Sequence, residues 1–123
     1  EHIKIAILFF EQEFKELNQK HPINDKYAAA LTTRGDILFL QRDFENAIKN
    51  YLFARKIYLN RYRENDRNMD NVSYNLLQLA RTAYSNKDYK LYKKARNELF
   101  QKFGIEHARS KEIVSMFEIK GKL

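Results

Sequence analysis

Cysteine is absent from the 123 residues. That removes a disulfide framework, an iron–sulfur site, a thiolate zinc site and a cysteine nucleophile. It also fits a reducing compartment, so a cytoplasmic location is expected. Proline and glycine are nearly as scarce, one and three residues respectively. A β-sandwich needs a turn about every 8–12 residues and uses those two residues heavily, so an all-β fold is excluded in practice. Long apolar runs are missing as well. The longest, from Ile5 to Phe10, is far short of the roughly 20 residues a membrane helix requires, and no membrane partner is expected. Glu11, Glu13 and Glu16 follow that run where a signal peptide would place small residues. The chain opens on Glu rather than Met and reads as a piece of a larger protein.

What is present is apolar and basic. Hydrophobic residues make up 44% of the chain and aromatics 14%, enough for one packed domain. The net charge is +7, which suits acidic proteins, nucleic acid or an anionic surface. Lys, Asn, Ile and Tyr are enriched together, however, as AT-rich coding produces, so charge alone assigns no partner.

The apolar residues recur at helical spacing. Ile3, Ala6, Ile7, Phe10, Phe14 and Leu17 mark a helix over about residues 2–20, stopped at His21-Pro22. Asn24 or Asp25 is placed to cap a second helix, which carries Tyr27, Ala28, Leu31, Gly35, Leu38 and Phe39 to about Arg42. Asp43 caps a third, with Phe44, Ala47, Ile48, Tyr51, Leu52, Ala54 and Tyr58 inside, running to about Arg63. A polar connection over 61–71 precedes a fourth helix with Val72, Leu76, Leu79, Ala80, Ala83 and Tyr84. Asp88 caps a fifth, bearing Tyr89, Tyr92, Leu99 and Phe100 and closing at Gly104, the favoured terminator. A sixth covers about 106–119, with Ile113, Val114, Met116 and Phe117. The expected fold is all-α.

Two stretches of the chain align with each other. Leu31, Gly35, Leu38, Asp43, Phe44 and Ala47 recur as Leu76, Ala80, Ala83, Asp88, Tyr89 and Tyr92, each pair 45 residues apart. Small residues at Gly35 and Ala80 let a facing helix approach, and the Asp-aromatic pair suits a turn that caps the next helix and plugs the gap with a ring.

This pattern resembles the tetratricopeptide repeat. The better match is Arg34-Gly35-Asp36 through Arg42-Asp43-Phe44-Glu45-Asn46-Ala47-Ile48, with Tyr51 and Ala54. The second copy departs from it, with Tyr92 and Leu99 where small residues are usual, and Arg34 replaces an apolar residue. The basic repeat is 34 residues long, so a spacing of 45 is more similar to longer-loop variants such as those of kinesin light chains and bacterial regulators. The resemblance implies helical hairpins stacked as a right-handed solenoid. Residues 2–20 would be the second helix of a preceding repeat, 23–64 and 70–103 two repeats, and 106–119 the first helix of a following one.

Catalytic chemistry finds little support. His2, His21 and His107 stand apart from one another and from any metal-ligand spacing. Gly35, Gly104 and Gly121 form no phosphate loop, and Ser73, Ser85, Ser110 and Ser115 lack a nucleophile elbow. No enzyme activity, metal or cofactor is expected.

The resemblance instead implies a concave groove lined by the first helix of each pair, holding a protein or peptide partner. Carried over by position, the groove residues are Ala29, Thr32, Thr33, Asp36 and Phe39, then Tyr74, Leu77, Gln78, Arg81 and Tyr84. Thr32, Asp36, Phe39, Tyr74, Gln78, Arg81 and Tyr84 are the selected candidates. The Gln78 amide can pair with a peptide backbone, Arg81 can grip a carboxylate, and the three rings offer flat apolar surface. The same rings would equally serve to pack a neighbouring helix. Thr32 and Asp36 stand where chaperone-binding relatives carry a Lys–Asn carboxylate clamp, so that specialisation is not expected. Two alternatives remain. The first helix, with Ile3, Ile5, Ile7, Leu8, Phe9 and Phe10, is apolar enough to form a homo-oligomer contact. Lys87, Lys90, Lys93, Lys94 and Arg96, interleaved with Tyr89 and Tyr92, could follow nucleic acid, though the lysines have the spacing of an ordinary solvated face and the tyrosines that of core residues.

Overall fold

The computed structural model describes residues 2–16, 23–61 and 69–118. Among them are six α-helices and no strand: α1 (His2–Glu16), α2 (Ile23–Leu40), α3 (Phe44–Arg61), α4 (Met69–Ser85), α5 (Tyr89–Phe103) and α6 (Ala108–Ile113). A π-helical segment, Val114–Glu118, continues α6. The all-α expectation holds. Residues 17–20 of the expected first helix and most of the polar connection, residues 62–68, lie outside the described residues. None of the described helices is long and apolar enough to cross a membrane.

Each helix packs on the next through α5, and α6 packs on both α4 and α5. Helix α4 also touches α2, so the two hairpins α2–α3 and α4–α5 lie side by side. Their shared core joins Tyr27, Ala28 and Leu31 of α2, Ala47, Tyr51, Ala54 and Ile57 of α3, Leu76, Leu79, Ala80 and Ala83 of α4, and Tyr92, Ala95 and Leu99 of α5. Alanine recurs at the helix crossings because its small side chain lets two backbones approach without a void. Gly35 is the extreme case, since its missing side chain leaves room for the buried ring of Tyr51.

The two hairpin turns share one backbone construction. At the first, Arg42 N–H donates to the Phe39 carbonyl at 3.0 Å and Asp43 N–H to the Leu38 carbonyl at 2.9 Å. At the second, Lys87 donates to Tyr84 and Asp88 to Ala83 at the same distances. This bonding satisfies the last free carbonyls of α2 and α4, and it requires a left-handed residue just past each helix. Arg42 and Lys87 fill that role, with φ of +63° and +60°. Each Asp then caps the next helix. Asp43 Oδ1 accepts from Asn46 N at 3.4 Å and Asp88 Oδ1 from Leu91 N at 3.1 Å.

Local details differ from expectation at three ends. Helix α2 already begins at Ile23, so Asn24 and Asp25 sit inside its first turn rather than ahead of it. Helix α5 closes at Gly104 with φ +85° and ψ 153°, a glycine conformation outside the left-handed helical well. Helix α6 starts at Ala108 because His107 Nδ1 accepts from Arg109 N at 3.1 Å, which makes that histidine a cap.

Candidate functional site

The facing sides of α2 and α4 carry the groove candidates, and they assemble around one carboxylate. Tyr51 Oη donates to Asp36 Oδ1 at 2.5 Å and Tyr74 Oη to Asp36 Oδ2 at 2.8 Å. Gln78 Nε2 donates to Asp36 Oδ1 at 2.7 Å and to Tyr74 Oη at 3.1 Å. Asp36 therefore receives three donors from α3 and α4, the satisfaction a half-buried carboxylate needs. Burial, helped by the Asp36 bond, pushes the Tyr74 hydroxyl up to about 12. The same causes, in the same order, push Tyr51 higher still.

Thr32 and Gln78 lie at the floor of this arrangement, each only 5% exposed. The Thr32 hydroxyl bonds back to the Ala28 carbonyl at 2.9 Å, and Gln78 gives its amide to Asp36. Fully buried Asn75, on the next turn of α4, donates to the Tyr51 carbonyl at 3.1 Å and ties α4 to α3. Asp36, Tyr74 and Gln78 thus come together as an internal network, with Thr32 beneath it.

Arg81 and Phe39 form a second group. The Arg81 guanidinium lies 4.2 Å from the centre of the Phe39 ring, in cation–π range, and its buried Nε has no hydrogen-bond partner. Tyr84 stacks on Phe117 at 4.3 Å, so the π-helical segment covers one of its faces. Tyr92 is buried beside them and donates to Glu118 Oε2 at 2.6 Å, and Arg96 pairs with the same carboxylate at 3.0 Å. Two members of the basic–aromatic set are therefore engaged internally. Tyr89 departs from the core role expected of it. It is 49% exposed because it opens α5 at the turn and rests only an edge on Tyr84, 5.3 Å between ring centres.

Beyond Phe39 and Tyr84 the surface opens into a pocket of about 640 Å³ at the turn end of both hairpins. Its walls are Phe39, Leu40, Arg42 and Phe44 from the first hairpin and Tyr84, Ser85, Lys87 and Tyr89 from the second. These eight residues are four pairs, every one 45 residues apart. Of them, Phe39 and Tyr84 were groove candidates from sequence, and Lys87 and Tyr89 belonged to the basic–aromatic set considered for nucleic acid. The available signal was the recurrence of a basic residue ahead of each Asp-aromatic pair, Arg42-Asp43-Phe44 and Lys87-Asp88-Tyr89.

No group of three or more His, Asp or Glu side chains among the described residues could hold a metal ion. Comparison with family models, with curated proteins and with solved structures finds no match to this chain.

Proposed function

We propose that this chain is a non-catalytic protein- or peptide-binding module built from tetratricopeptide-like hairpins in a solenoid, acting in the cytoplasm. The observation that carries this reading is the duplicated pocket. Two hairpins of one design set matching rings and cations side by side, which is how a repeat array builds an extended surface for a linear partner. Next to it, the Asp36 network holds the facing helices of the two hairpins in fixed register. Half-buried Arg81 lays its guanidinium on the Phe39 ring and leaves its Nε without a hydrogen-bond partner.

Capture from native lysate tests this reading. The immobilised chain is run with and without nuclease, beside an Arg81→Ala/Tyr84→Ala variant whose helicity is checked by circular dichroism. A discrete protein held by the parent, lost by the variant and insensitive to nuclease supports the reading. Capture that needs nucleic acid, or that ignores the variant, rejects it.

A second reading, self-association, is favoured by one surface. Ile5, Leu8 and Phe9 form a stripe on α1 and are 66%, 65% and 53% exposed. A large exposed apolar stripe marks a covered interface more often than a solvated one. Light scattering that finds a strict monomer at high concentration would reject it.

A further inference from the structure

Arg42 and Lys87, at the two hairpin turns, occupy left-handed backbone positions where glycine is the ordinary residue. A side chain there strains the turn, yet both hairpins carry a long cation, and both cations line the same pocket. Strain retained at two equivalent positions that meet in one cavity points to use of the side chains rather than of the backbone.

We infer, resting on the peptide-binding reading above, that this pocket recognises an extended acidic peptide. Arg42 and Lys87 bind its carboxylates, and Phe39, Phe44, Tyr84 and Tyr89 hold the apolar side chains between them.

The charges support this assignment. Neither Arg42 nor Lys87 forms an ion pair among the described residues. Their neighbours Asp43 and Asp88 are committed elsewhere. The two oxygens of Asp43 accept from Asn46 N and Nδ2, and Asp88 accepts from Leu91 N. Both carboxylates also sit at helix N-termini, where the backbone dipole offsets negative charge. The pocket therefore keeps two cations free for a ligand.

The rings favour a peptide over nucleic acid. Base stacking needs an open aromatic face. One face of Phe39 is taken by Arg81 and one of Tyr84 by Phe117. Phe44 leans against Phe39 at 54° and Tyr89 meets Tyr84 at 73°, so neither ring pair offers parallel platforms for successive bases. Ring edges carry the positive part of the quadrupole and complement carboxylates. Because three of the four wall positions, two rings and a cation, recur in kind in the second hairpin, a ligand with acidic and apolar positions in repetition meets similar contacts twice.

Fluorescence anisotropy on the full chain tests the inference with three probes: a labelled peptide of alternating aspartate and leucine, its lysine–leucine counterpart, and an oligothymidylate. Glycine suits both turn positions, so an Arg42→Gly/Lys87→Gly variant removes the cations without threatening the fold, and its melting curve verifies this. The aspartate peptide should bind in preference to the other two. Its affinity should fall about fivefold for each cation removed, the range open to an exposed ion pair, and should also fall with added salt. A Phe44→Ala/Tyr89→Ala variant should weaken it again. The inference is overturned if the aspartate peptide does not bind, if parent and glycine variant bind it alike, or if oligothymidylate displaces it. A lysate partner lost with Arg81→Ala/Tyr84→Ala but kept by the glycine variant would leave the groove reading standing and still reject the pocket.

Discussion

A methyl group on residue 35 would stand 2.5 Å from Cε1 of Tyr51, so Gly35 and the Tyr51 ring divide a space that holds only one of them. The equivalent place in the second hairpin holds Ala80, and opposite it the residue 45 positions after Tyr51 is Arg96, whose guanidinium turns out to Glu118. The helix contact is therefore tighter in the first hairpin.

Gly35→Ala should destabilise the protein although alanine is the better helix former by about 1 kcal/mol. Overpacking against a fully buried ring costs about 1–3 kcal/mol or more, and a contact this short lies at the upper end. We expect a net loss of about 2 kcal/mol in urea denaturation. The mirror change, Ala80→Gly, should cost about 1 kcal/mol from helix propensity alone. Equal losses at the two sites would contradict this account.

Asp36→Asn should cost about 1.5–3 kcal/mol, because a carboxylate that accepts three hydrogen bonds becomes an amide with one donor end facing other donors. Tyr74→Phe removes only one of those bonds and should cost about 1 kcal/mol. Denaturant midpoints of the two variants check the order.

Alkaline pH should unfold the chain through its tyrosines. Tyr74 is raised to about 12 by burial and by its bond to Asp36, and Tyr51 and Tyr92 are raised further by burial and a carboxylate partner. Tyr27 is raised by burial and then by Glu11. A group whose folded pKa exceeds its unfolded value holds its proton more tightly when folded. Stability from these groups is thus full below the unfolded value of about 10 and falls as pH climbs toward the folded values. Tyrosinate absorbance should show a delayed fraction that titrates together with loss of helicity. In Asp36→Asn that fraction should ionise earlier, because Tyr51 and Tyr74 lose the negative charge beside them.

Arg42→Gly and Lys87→Gly should each raise stability by about 0.5–1 kcal/mol. The left-handed conformation costs an L residue about 1–2 kcal/mol, less what glycine loses to a freer unfolded chain. Gly104→Ala should act oppositely. No atom would clash with the added carbon, yet φ of +85° is itself unfavourable for alanine. Thermal melts of the three variants settle the signs.

The local features were the legible ones. Asp43 and Asp88 were readable as caps because a cap depends on its own next turn, and Gly35 and Ala80 as crossing points because small size is a property of the residue. The left-handed turns at Arg42 and Lys87 were not readable, since the usual glycine signal is absent and the hydrogen bonds alone impose the conformation. The candidates on α2 and α4 illustrate the same limit. The resemblance put Thr32, Asp36, Tyr74 and Gln78 along one groove, but whether a face is open depends on what packs across it.

By itself the sequence determined the all-helical character of the described residues, the six helices close to their observed places among them, and the repetition of two hairpins at 45 residues. Periodicity, caps and scarcity of breakers act within a few residues and need no tertiary partner. The tertiary structure decided which side chains of the repeat meet. It turned Asp36 inward to receive three donors, laid Phe117 against Tyr84, and brought residues 45 apart into one pocket, because side chains distant in the chain interact only after the hairpins dock.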